Sequence, residues 1–178
     1  MSPFRKFLIH AAITLVILVG VGILGAAIVV VAGVYNVAAI YQHTWPVYEI
    51  LDFALERSVS ARLGGITAPA LDDASLAERG FRIYRDKCVQ CHGAPGVPPD
   101  DAGKGMLPLP NNLAQTAREQ SAEYIYWVVA NGIRMTGMPA WQFRLDKDDL
   151  WAVVAFVERL PELSPREYAE WDQKVGRR

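Results

Sequence analysis

The stretch DKCVQCHGAPG, residues 86–96, decides how the rest of the chain is read. It holds both cysteines, Cys88 and Cys91, and places His92, one of only three histidines, directly after the second. A disulfide is one reading of the pair. A thioredoxin-like redox couple is another, but it belongs in a βαβ setting, and no strand pattern is evident around it. A structural zinc site needs four protein ligands. The other histidines are badly placed for that, His10 inside an apolar run and His43 far upstream. None of these readings explains a histidine set immediately after the second cysteine.

Covalent haem does explain it. Two thiols on one helical turn match the two vinyl groups of a haem, and the next side chain reaches under the ring to offer an imidazole to iron. C-x-x-C-H is the signature of c-type haem attachment, so Cys88 and Cys91 are candidate attachment residues and His92 the candidate proximal ligand. A second axial ligand then has to come from elsewhere. The methionines are Met1, Met106, Met135 and Met138. Met138 lies in RMTGMPAWQF, where Gly137 permits close backbone approach and Pro139 stiffens the loop. Met135 on the same loop is its near rival, and Met106, His43 or an open position are the other readings.

Upstream, the composition changes sharply. Between Phe7 and Tyr48 there is no Asp, Glu, Lys or Arg, and residues 8–34 are nearly all Ala, Val, Ile, Leu and Gly. That run exceeds the ~20 residues that cross a bilayer core as a helix and the ~7–15 of a cleavable signal's apolar centre. It reads as an uncleaved single-pass anchor. Arg5 and Lys6 precede it and no basic residue follows until Arg57. This places the N-terminus in the cytoplasm and the bulk outside, with Tyr35, Tyr41, Trp45 and Tyr48 at the outer interface. The chain as a whole is near charge balance, with 18 Lys and Arg against 19 Asp and Glu. Nucleic-acid binding, which wants a basic surface, is not indicated.

After the anchor, residues 41–63 carry apolar side chains at mostly helical spacing, with Pro46 kinking or restarting the helix. They read as a stalk near the membrane surface or against a partner. Gly64-Gly65 and ITAPALDD read as a linker. Ser75 and Glu78 have the form of a capping box opening a helix that runs into the cysteines. Residues 93–112 read as loop. Ser121 caps a helix that Asn131-Gly132 ends, Asp146 caps another that stops before Pro161, and SPREYAEW adds a short helical turn.

Residues 75–161 resemble class I (monohaem) cytochrome c. Gly80 and Tyr84, ahead of the haem motif, resemble the family's glycine and aromatic pair at the crossing of its first and last helices. PLPNNL, residues 108–113, resembles its proline-containing loop, GMPAW at 137–141 its methionine ligand loop, and LWAVVAFVERL at 150–160 its closing helix, with Trp151, Val154 and Phe156 as core candidates. The resemblance implies an all-α fold. A transmembrane helix (1–36) and a helical stalk and linker (37–74) precede a cytochrome c domain (75–178) wrapped around one covalent haem c with its iron. It also implies His92 and Met138 as iron ligands and Pro110 as the residue whose carbonyl receives the proximal imidazole N–H. Tyr124, Tyr126, Trp127, Arg134 and Trp141 are candidates for the haem edge.

Met/His ligation leaves no open position on iron and raises the potential, which suits one-electron transfer and not bond chemistry. The expectation is a tethered carrier on the periplasmic face of the cytoplasmic membrane. It would link a quinol-oxidising complex or dehydrogenase to a terminal oxidase or reductase, swinging on the linker. A dedicated cytochrome subunit of a respiratory complex is the alternative, and a haem sensor or peroxidase-like protein a remote one.

Overall fold

The structure is a computed structural model and describes residues 2–175. Met1 and the last three positions of the expected cytochrome domain lie outside the described residues. The chain divides into two compact units between Ala38 and Ala39.

The first unit is essentially one helix, α1 (Pro3–Val31). Ser2 caps it, its hydroxyl accepting from the Arg5 N–H at 3.3 Å, and Pro3 starts it without sacrificing a hydrogen bond. At 1.5 Å per residue it is about 44 Å long, more than the ~30 Å hydrocarbon core needs. All of its side chains are exposed, including a long series of Leu, Ile and Val. In water such a surface would be heavily disfavoured; in lipid it is the ordinary condition.

The second unit contains α2 (Trp45–Ser60), α3 (Ala74–Lys87), α4 (Val89–His92), α5 (Asp101–Lys104), α6 (Leu113–Glu119), α7 (Ala122–Asn131), α8 (Lys147–Val157) and α9 (Pro165–Val175). Short 3-10 turns occur at Trp141–Phe143 and Leu160–Glu162. No strand forms among the described residues; Ala94 and Val97 make an isolated bridge. The fold is all-α, as the sequence implies.

The centre of the unit is the crossing of α3 with α8. α8 is buried continuously from Leu150 to Val157, all but its first three residues. α3 presents Ala77, Gly80, Phe81 and Tyr84 to it, a stripe at helical spacing. Phe81 and Phe156 meet edge to face at 5.2 Å between ring centres. Tyr168 and Trp171 of α9 close over Phe81 at 5.4 and 5.6 Å. The expected short turn at SPREYAEW is therefore an integral helix, because its two aromatic rings complete this cluster.

Three boundaries differ from the sequence reading. α3 is capped by Asp73, whose carboxylate accepts from the Ser75 N–H at 2.7 Å, so the Ser75–Glu78 box lies inside the helix. Glu78 instead pairs with Arg82 and Lys174. α6, unmarked in the sequence reading, starts at Asn112, whose side-chain oxygen accepts from Ala114 N–H. The third is α5, a single helical turn at Asp101–Lys104 inside residues 93–112, which read as loop; α8 ends at Val157, before Pro161 as expected, and a 3-10 turn carries the chain on.

The segment between α2 and α3 is not a loose tether. Ile66, Ala68 and Leu71 pack against the core. Ala68 N–H donates to Glu123 at 3.3 Å, and the Arg159 guanidinium donates to the Asp72 carbonyl at 2.7 Å. α2 itself touches α7 and buries Val59 completely. Three well-spaced apolar residues in a Pro- and Gly-containing stretch are enough to hold it down. Pro46 lies in the first turn of α2, where a proline begins a helix and does not kink it.

Candidate functional site

Cys88 ends α3, and Cys91 and His92 follow on the single turn of α4. Both thiols are free and half-buried. Burial pushes the Cys88 thiol up to about 12. Gly93 leaves this turn with φ of 65°, in the left-handed region that favours glycine, and its carbonyl accepts from the buried Tyr84 hydroxyl at 2.6 Å. Gly103 of α5 packs directly on the turn; a β-carbon there would stand 2.8 Å from Cys91 Cα. The cysteine turn is thus fixed from both sides.

His92 Nδ1 stands 2.8 Å from the carbonyl oxygen of Asn111. A carbonyl only accepts, so Nδ1 carries the proton and Nε2 keeps its lone pair when the ring is neutral. Burial holds the imidazole pKa down, opposed in part by the Asn111 bond, and this favours the neutral, ligating form. The expectation named Pro110 as the acceptor, and the structure corrects it by one residue. Pro110 instead lines a cavity of about 430 Å³ beside His92, together with Tyr84, Leu113 and Leu160.

The methionines separate clearly. Met138 is half-buried and packs against the core. Met135 is 94% exposed and sits at φ of 63°. Met106 reaches the same loop: its sulfur lies 2.6 Å from where a β-carbon on Gly137 would stand. Gly137 is needed for that close approach, and the left-handed residue of the loop is Met135. His43 is exposed.

Around this set, Tyr126 stacks on Trp151 at 4.1 Å, and the Lys87 ammonium stands 5.7 Å over the Trp141 ring. Trp127 is half-buried and Arg134 exposed. Tyr124 is raised above the ordinary phenol value by burial and by the nearby carboxylates of Glu56 and Asp52. The Lys87–Trp141 contact and the Asn111 carbonyl had no signal in the sequence.

Residues 75–157 match the family model for cytochrome c oxidase, cbb3-type, subunit III. A curated relative, the Cbb3-type cytochrome c oxidase subunit FixPc of Rhizobium leguminosarum bv. viciae, is 32% identical over 126 residues, 65% of this chain. These matches, with the long apolar helix at the N-terminus, support a membrane-anchored c-type cytochrome.

The cytochrome spans 38% of that relative's length. No solved structure matches it. A c-type cytochrome carries haem, and the donor set here fits that group better than a bare metal ion. Among the described residues no three His, Cys, Asp or Glu side chains gather as a set able to hold a metal. Two thiols on a turn with one imidazole beside them suit a cofactor held at its rim and ligated at its centre.

Proposed function

We propose that this cytochrome is the electron-transfer subunit of a membrane-bound terminal oxidase complex, with its haem domain on the periplasmic face of the cytoplasmic membrane. Cys88 and Cys91 would hold one haem c by thioethers, and His92 Nε2 and Met138 would be the ligands to its iron. Pro110 walls the proximal side. When bound, the haem supplies a one-electron redox centre. The chain's own contribution is placement. Asn111 fixes the His92 tautomer and ring orientation, and the α3–α8 crossing supports the cysteine turn. Divided by role, residues 1–36 anchor, 37–74 form stalk and linker, and 75–178 form the cytochrome domain. Arg5 and Lys6 keep the N-terminus in the cytoplasm. Electrons enter from a quinol-oxidising complex or dehydrogenase and leave to the oxidase.

The observation that favours a fixed subunit over a swinging carrier is the pinned segment between α2 and α3. With Ile66, Ala68 and Leu71 packed and Glu123 and Arg159 bonding its backbone, it has lost the freedom that gives a tethered carrier its reach. The test is purification of the tagged, full-length chain in mild detergent. A subunit brings a terminal oxidase in fixed proportion. A chain that elutes alone, and whose deletion leaves oxidase activity intact, returns the account to a free tethered carrier.

A further inference from the structure

The loop that carries Met138 is closed on itself by backbone bonds, the Thr136 N–H to the Ile133 carbonyl at 3.3 Å among them, and by one hydroxyl. Thr136 Oγ1 donates to the Ile133 carbonyl at 2.8 Å and accepts from the Met138 N–H at 3.1 Å. The Ile133 N–H in turn donates to the Met138 carbonyl at 3.2 Å. Both backbone polar groups of Met138 are therefore committed, one through the Thr136 side chain. Two tight contacts hold the ring of bonds in place. Gly132, at φ of 66°, sits so close that a β-carbon would stand 2.7 Å from the Met138 oxygen, and the Met106 thioether packs over the bare face of Gly137. The strained residue, Met135, points outward.

We propose that Thr136 is the positioning residue for Met138: its hydroxyl fixes the backbone from which the thioether is presented. The inference rests on Met138 being the distal ligand. A thioether is a weak, neutral donor on a flexible side chain, so its hold on a metal depends on how little freedom its backbone has. A short hydroxyl also bonds loop backbone in proteins with no ligand to place, and only a readout at the iron separates the two roles. Pre-organising partners of a ligand are worth about 10–100-fold in affinity when removed.

The experiment compares Thr136→Val, Thr136→Ser and Met138→Ala in the full-length, haem-loaded protein in detergent. The readouts are the weak Met–iron charge-transfer band and carbon monoxide uptake by the reduced form. Met138→Ala should abolish the band and admit carbon monoxide; if it changes neither, the ligand assignment itself fails. Given that control, Thr136→Val should diminish the band and admit carbon monoxide about tenfold more readily, while Thr136→Ser keeps the parental behaviour. Equal behaviour of Val and parent, or equal loss in Ser and Val, overturns the role of the hydroxyl. Should Thr136→Val fail to fold, hydrogen exchange on the intact protein decides: a protected Met138 amide supports the proposal, and exchange at the rate of an open amide overturns it.

Discussion

Gly80 and Ala152 meet so closely that the two helices carrying them admit no side chain between them. A β-carbon on Gly80 would overlap the Ala152 carbonyl, whose carbon would be 2.5 Å away, and would press on Phe156 Cβ at 3.0 Å. The obstacle is backbone, which cannot step aside as a side-chain tip can. Gly80→Ala is therefore expected to cost about 3 kcal/mol or more, at the upper end for overpacking, because α3 must move off α8. Denaturant unfolding of the haem-loaded protein measures it. A loss below about 0.5 kcal/mol, the ordinary size of a neutral surface change, would mean that the helices do not cross here.

Phe156 is fully buried and touches Phe81, Tyr84, Tyr168 and Trp171. Phe156→Ala should cost about 3–5 kcal/mol, the range for aromatic truncation in a core. It unpins α9 as well as α3, so faster hydrogen exchange throughout 165–175 is expected alongside the lower stability. Exchange in α9 that is unchanged would separate that helix from the core.

Met135 and Met138 are predicted to behave oppositely. Met138→Ala opens the iron to carbon monoxide. Met135→Ala leaves the spectrum unchanged, since that side chain is 94% exposed. Met135→Gly should even stabilise the protein by about 1 kcal/mol by relieving a left-handed backbone on a residue with a β-carbon. Spectra of the three variants beside their melting curves test this.

Two carboxylates near the pinned segment carry opposite pH signs. Glu123 is held below its usual pKa by bonds from its own N–H and from Ala68 N–H. The stability it lends is present above the ordinary carboxylate range and is lost as pH falls through its lowered pKa. Glu158 is raised by burial and by Glu123, and its Oε1 has no hydrogen-bond partner among the described residues. Its contribution is present in acid and lost as pH rises through its raised pKa. Glu158→Gln should therefore raise the melting temperature at pH 7, with the gain shrinking in acid. Glu123→Gln should speed exchange of the Ala68 amide at pH 7 and have less effect in acid, where Glu123 is already protonated.

Much of this was legible in the sequence for physical reasons. The apolar run has one stable solution, a helix in lipid. Ser121 and Asp146 are N-caps where short polar side chains precede apolar periodicity, and both bond as expected. Trp151, Val154 and Phe156 fall in the core because α8 has almost no polar residue after Asp149. The pinned segment was not legible, since Ile66, Ala68 and Leu71 are spaced for neither helix nor strand and gain meaning only once the core they cover exists. Asn111 was missed because a carbonyl's direction is set by backbone torsions that no residue type announces. Thr136 was missed for a related reason, as its hydroxyl matters through where Ile133 and Met138 come to rest. Asp73 displaced Ser75 as the cap of α3 because both are residue types that cap helices, and the chain's path into the helix selects Asp73 although Leu76, three residues on, completes no capping box.

The mass of the intact, fully denatured polypeptide tests the central claim most directly. Covalent attachment at Cys88 and Cys91 predicts a single species heavier than the sequence by one haem, with no loss on acid extraction, and the bare mass after Cys88→Ala together with Cys91→Ala. A polypeptide at the mass of its sequence, or lighter by two hydrogens as a disulfide would make it, would contradict the account.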